Sequence, residues 1–127
     1  MNYENLNERL KELNNEDFIW IVYIGIIILS FYSNNLERDY FINYNLNSRK
    51  KYQNILIIIF SILLIVYTYF LKQSIDDIKN LKPSDSEKKK IFVYLSFLAS
   101  LFIATSGVIY LFIAFNDENL DVELAFN

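Results

Sequence analysis

Three stretches of the chain, residues 18–32, 55–71 and 91–115, carry no charged side chain, and polar residues dominate between and around them. Backbone in hydrocarbon must satisfy its own hydrogen bonds, and a charge there is costly. Uninterrupted apolar runs of this length therefore predict membrane-spanning helices. With a rise of about 1.5 Å per residue and a hydrocarbon layer of about 30 Å, a span takes about 20 residues. The second run just suffices. The third must tilt or protrude. The first is the shortest, and it spans if Ser33, Asn34 and Asn35 enter the headgroup region. Aromatic residues near the run ends, among them Trp20, Tyr32, Tyr69, Phe92, Tyr94 and Phe115, suit the membrane–water interface.

The polar segments carry their own patterns. In residues 1–17, Leu6, Leu10 and Leu13 recur at i, i+4 and i+7, with Glu4, Glu8, Arg9, Lys11 and Glu12 on other faces. This predicts a short amphipathic helix. Its acidity disfavours adsorption to anionic lipid, so it is expected to dock on a loop of this chain or on a partner. Beyond the second run, Ile75, Ile78 and Leu81 keep a helical stripe until Pro83 stops it. Ser84 and Glu87 have the spacing of a capping box, and Asp85 adds a negative charge to the first turn. A new helix is predicted from there, through Lys88, Lys89 and Lys90 into the third run. The expected fold is all-α: a small polytopic membrane protein forming a single membrane domain over residues 1–127. It has three transmembrane helices (18–32, 55–71, 91–115), a long hairpin of helices two and three, and the N-terminal amphipathic helix.

Two segments stay open at this level. Residues 33–54 interleave Tyr40, Phe41, Ile42, Tyr44 and Leu46 with polar residues, which suits a short interfacial helix or an exposed recognition surface. The acidic tail, residues 116–127, spaces Leu120, Val122, Leu124 and Phe126 among acids. It reads as a solvated terminus or as a peptide that docks on a partner.

Helix packing is the chemistry the spans advertise. Ser96, Ser100, Ala104, Gly107 and Ala114 share one face of the third run at 100° per residue. Small residues let helices approach closely in lipid. Ser61 and Thr68 on the second run are the expected facing partners, and Gly25 on the first is a further close-approach point. The other reading of the hydroxyls, Thr105 included, is a polar path in an oligomer.

Composition removes many functions. The chain has no Cys and no His, which excludes disulfides, thiol nucleophiles, Cys/His zinc sites and histidine proton relays. No acid or base lies within a run, which argues against ion-coupled transport. No glycine-rich phosphate loop or nucleophile elbow is present. The pairs Asp76-Asp77 and Asp117-Glu118 are too few for an oxygen-ligand metal site. No segment is basic enough for nucleic acid. No enzyme activity, cofactor or metal is expected. Residues 18–32 make a poor signal peptide, because Glu16 and Asp17 precede them and no small-x-small site follows.

Basic residues set the expected orientation. Arg9, Lys11, Lys72, Lys79, Lys82, Lys88, Lys89 and Lys90 fall on one side of three spans, against Arg38, Arg49, Lys50 and Lys51 on the other. The positive-inside rule then places the N-terminus in the cytoplasm and the C-terminus outside. The excess of Lys over Arg and the abundance of Ile and Asn suit an AT-rich genome, hence the plasma membrane of a low-GC prokaryote.

The expected function is a non-enzymatic membrane accessory protein that contacts a partner or larger complex through its polar ends. A homo-oligomeric pore is the alternative. A third reading is a protein that binds lipid headgroups or a partner through Lys88, Lys89 and Lys90. In size and span count alone the chain is similar to two broad classes of small prokaryotic membrane proteins, holins and bacteriocin-immunity proteins; no residue motif ties it to either.

Overall fold

A computed structural model of the chain describes residues 3–122, nearly all of them in three α-helices. These are α1 (Tyr3–Asn43), α2 (Leu46–Lys79) and α3 (Glu87–Asn116). Each is long and apolar enough to cross a membrane, which fits an all-helical integral membrane protein.

The first helix corrects the expected division of the N-terminal region. No short amphipathic helix stands apart from the first span. Residues 5–17, the apolar run and residues 33–43 form one unbroken helix. The physical reason is local. Residues 5–17 are rich in Leu, Glu, Lys and Arg, which are good helix formers, and no Pro interrupts them. Once a helix is nucleated, each added residue gains a hydrogen bond without a new nucleation cost. At 41 residues α1 is about 60 Å long, so it projects well beyond a hydrocarbon layer of about 30 Å.

The turn between α1 and α2 is therefore tight and polar. Tyr44 takes a left-handed conformation (φ 53°), and its N–H donates to the Tyr40 carbonyl. Asn45 caps α2, its side-chain oxygen accepting from the Asn47 and Ser48 amides. Asp39 ties the turn together by accepting from Asn43, Asn45 and Ser48. Arg49 lies over the Tyr40 ring. Residues 33–54 are thus two helix ends and a turn, on which Phe41, Ile42, Tyr44 and Leu46 are exposed.

The α2–α3 hairpin forms as expected, with one correction at its cap. Ser86, not Ser84, is the N-cap of α3, and its Oγ accepts from the Lys89 amide. Asp85 belongs to the turn instead. It accepts from the Lys82 amide at 2.8 Å and the Lys89 ammonium at 3.1 Å. These two contacts hold its carboxyl below the usual carboxylate range, the amide being the larger cause.

Packing makes α2 the central helix. It lies against both α1 and α3, whereas α1 and α3 do not pack on each other among the described residues. Tyr52, Leu56, Ile59, Phe60 and Leu63 of α2 form the buried cluster, together with Ala114 of α3. Phe60 stacks on Tyr110 with ring centroids 5.4 Å apart. Tyr23, Ile26 and Leu29 cover the cluster from α1.

The register between α2 and α3 is uneven. Gln53 donates to the Ala114 and Phe115 carbonyls, so the two apolar runs end together at that end. Tyr67 meets Gly107. Farther along, Asp77 shares a hollow with Val93 and Ser96. The α2 run stops at Leu71, so the first part of the α3 run lies beside the polar end of α2, an overshoot of about 15 Å at the α-helical rise. Phe92, Tyr94 and Leu95 are exposed on that overshoot.

Candidate functional site

One end of the bundle gathers residues 5–17 of α1, residues 69–79 of α2 and the start of α3, and several of its polar groups engage each other. The Arg9 guanidinium pairs with Glu12 at 3.1 Å and reaches Glu16 at 3.8 Å. Asn15 donates to the Tyr69 hydroxyl at 3.5 Å, a long contact that links α1 to α2. Glu12 and Arg9 lie near enough to Asp77 for their charges to act on it. The charged face of this segment thus turns toward α2, which leaves the leucine stripe outward. Leu6, Leu10 and Leu13 are 41, 49 and 39 % exposed. Among the described residues, the expected docking of this stripe on a loop of the same chain does not occur.

The three lysines at the start of α3 are not equivalent. Lys89 pairs with Asp85, and Lys90 pairs with Glu87 at 3.6 Å and reaches the Pro83 carbonyl. Lys88 has no carboxylate within pairing distance among the described residues. Its ammonium lies 5.7 Å from the centroid of Phe92, one turn further along α3. The stem therefore runs down the helix, and the charge sits over an aromatic face.

Because α1 and α3 meet only through α2, a cleft opens between them. A first hollow at its mouth, about 410 Å³, lies between α2 and α3 and is lined by Lys88, Lys89, Asp77 and Ser96. The second, about 300 Å³, shares Asp77 and Ser96 with the first and adds Gln73, Ser100, Tyr23 and Tyr67. The third, about 490 Å³, lies between α1 and α2, shares Tyr23 and Tyr67 with the second and is lined mainly by Ile26, Ile27, Ile59 and Leu63. The cleft thus grades from charged to apolar along α2.

The small-residue stripe divides between two roles. Ala104 and Ala114 are buried. Gly107 is the tightest point, since a Cβ there would lie 3.0 Å from Tyr67 Cδ2 and 3.5 Å from Leu64 Cδ1. Ser96 is exposed and Ser100 half-buried, and both line the cleft. Ser61 is half-buried. Thr68 and Thr105 are exposed, each donating to a carbonyl four residues back in its own helix. Gly25 has no heavy atom within 4 Å of a built Cβ, so it makes no close approach among the described residues.

The opposite end changes the reading of the tail. Asp117 accepts from the Asp121 and Val122 amides, which curls the chain after α3. Leu120, in a left-handed conformation (φ 57°), is half-buried against the α2 cluster. It therefore serves this chain and is not free for a partner. Val122 is exposed. Leu124 and Phe126 lie outside the described residues.

Gln53, Tyr67 and Asp77 carry contacts that sequence reasoning did not single out. Gln53 carried a faint signal, as a polar residue two positions before an apolar run. Nothing in the sequence joins Asp77 to Lys88 or Tyr67 to Tyr23. Among the described residues no group of three or more His, Cys, Asp or Glu stands close enough to hold a metal ion. Set against known proteins, the chain matches no family model, no curated protein and no solved structure.

Proposed function

We propose that this chain is a non-enzymatic integral membrane accessory protein that holds a partner protein by the projecting N-terminal part of α1. The observation that carries this reading is the leucine stripe. Leu6, Leu10 and Leu13 lie beyond the apolar run, where water replaces lipid, yet they face outward while Glu12 and Glu16 are half-buried. An apolar stripe on a projecting helix is the usual donor of helix-in-groove recognition, read at i, i+4 and i+7. Three leucines of partial exposure offer several kcal/mol of burial, at about 25 cal/mol per Å². Asp17, four residues after Leu13, continues the stripe toward the apolar run, so the matching surface is apolar with a basic residue at that end.

In this reading the N-terminus and the α2–α3 turn are cytoplasmic, the C-terminus is outside, and the bilayer is the plasma membrane of a low-GC prokaryote. The test is affinity purification of the tagged chain in mild detergent, beside a variant with Leu6, Leu10 and Leu13 all changed to Ser. The expected result is a defined foreign subunit that leaves with the variant while helical content holds. An identical set of companions for both proteins, or a lone monomer for both, overturns the reading. A reporter fused after Asn127 that works only in the cytoplasm overturns the orientation.

A further inference from the structure

We propose that the cleft between α1 and α3 is a seat for one glycerophospholipid, lying lengthwise with its phosphate at Lys88, a hydrogen-bond donor of its headgroup on Asp77, and an acyl chain against Tyr67 and Leu63. This is independent of the partner proposed above, which uses the outward face of α1.

Three observations converge. First, the hollows adjoin one another. Asp77 and Ser96 line both the charged hollow and the middle one, and Tyr23 and Tyr67 line both the middle one and the apolar one. From Asp77 to Ile59 the floor is one helix, about 27 Å at the α-helical rise; its apolar part from Leu71 to Ile59, about 18 Å, is close to one leaflet of a hydrocarbon layer of about 30 Å. Second, the charges suit the position. Lys88 and Lys89 line the mouth, and of the two Lys88 is free of a carboxylate among the described residues, its ammonium carried toward the membrane over Phe92. A phosphate monoanion is the natural counter-charge for such an ammonium. Asp77, on the opposite wall, accepts hydrogen bonds and donates none while ionised. The pair therefore favours a headgroup with a negative phosphate and an N–H or O–H donor, either phosphoethanolamine or phosphoglycerol. Phosphocholine has the phosphate but no donor. Third, the overshoot of α3 supplies a wall. Beyond the last apolar residue of α2, α3 continues apolar with Phe92 and Val93, so the glycerol region meets apolar surface on one side and Gln73, Ser74 and Asp77 on the other. No helix of this chain covers the cleft among the described residues, since α1 and α3 do not meet. A seated lipid closes it and buries the polar wall away from bulk acyl chains.

The test is native mass spectrometry of the full chain in mild detergent, titrated with phosphatidylglycerol, phosphatidylethanolamine and phosphatidylcholine of matched acyl chains. The expected result is one lipid retained per chain, with the first two held about tenfold more tightly than the third, the worth of one charge-assisted hydrogen bond. A preference for phosphatidylglycerol over phosphatidylethanolamine, or the reverse, identifies which donor Asp77 takes. Asp77→Asn should reduce that discrimination, Lys88→Ala should weaken all three lipids, and Lys88→Arg should restore them. Ser100→Trp should block the cleft. If that variant does not fold, the Lys88 series decides, because that side chain is exposed. Equal retention of the three lipids, or retention unmoved by Lys88→Ala, overturns the proposal and leaves only the general lipid annulus. A photo-crosslinking residue at position 100 that captures a protein chain in place of lipid overturns it as well.

Discussion

The chain has two glycines, and the structure separates them sharply. A Cβ built on Gly107 lies 3.0 Å from Tyr67 Cδ2, 3.4 Å from Tyr67 Cε2 and 3.5 Å from Leu64 Cδ1, whereas one built on Gly25 meets nothing within 4 Å. Leucine is a good helix former, so either Gly→Leu change gains up to about 1 kcal/mol of helix propensity. At Gly25 nothing opposes that gain. At Gly107 the added isobutyl group has to displace the Tyr67 ring or push α3 from α2, and overpacking of this kind costs about 1–3 kcal/mol. The difference between the two variants cancels the shared propensity gain and isolates the contact, so Gly107→Leu should be less stable than Gly25→Leu by about 1–3 kcal/mol. Gly107→Ala is the milder step. Tyr67 is half-buried and borders an open hollow, so its ring can yield by a few tenths of an ångström, and the net change should fall within about 1 kcal/mol of zero. Tyr67→Ala removes the obstacle, so combining it with Gly107→Leu should cost less than the two single losses added, with a coupling of about 0.5–3 kcal/mol. The assay is reversible unfolding in mixed micelles of mild detergent and dodecyl sulfate, followed by far-ultraviolet circular dichroism. Equal stability of Gly107→Leu and Gly25→Leu would refute the α2–α3 register described above.

The α2–α3 turn yields two further predictions in the same assay. Ser86→Ala should cost about 1 kcal/mol, the usual loss of an N-cap, while Ser84→Ala should change little; the opposite order would restore Ser84 as the cap. Asp85→Asn should lower stability at neutral pH. The folded carboxyl is held below its ordinary value by the Lys82 amide and then by Lys89, so its contribution is present above the unfolded value and is lost as pH falls through the folded one. The gap between wild type and variant should therefore close on acidification below about pH 4, the ordinary carboxylate value, and a gap that widens there would show the sign to be wrong.

Hydropathy made the three spans legible, because the cost of a charge or an open backbone group in lipid belongs to each residue by itself and needs no knowledge of neighbours. The α2–α3 hairpin was legible for a similar reason: Pro83 cannot continue a helix wherever the chain later packs. The cap was less so. Ser84 and Ser86 both precede acidic or basic helix formers, and only the course of the turn, with Asp85 accepting from Lys82, puts the Ser86 hydroxyl on the Lys89 amide. The ends of α1 were misread because a drop in hydropathy marks the end of a membrane span and says nothing about the end of a helix. Residues 5–17 are rich in good helix formers, and no Pro or Gly interrupts residues 33–43, so the helix runs on past both ends of the apolar run.

What only the tertiary structure decided depends on which distant residues meet. Gly25 and Gly107 have the same local chemistry, and pairing with Tyr67 alone distinguishes them. Leu120 was one apolar residue among several in the tail until a left-handed turn placed it on α2. The cleft has no sequence signature, because it is made by two helices that fail to touch. By itself the sequence determined how many helices are fit for lipid and roughly where their apolar parts lie, since transfer free energy is additive along the chain. Register, the central place of α2 and the joining of Asp77 to Lys88 are pairwise quantities, which side-chain shape and close approach settle only once the helices are packed.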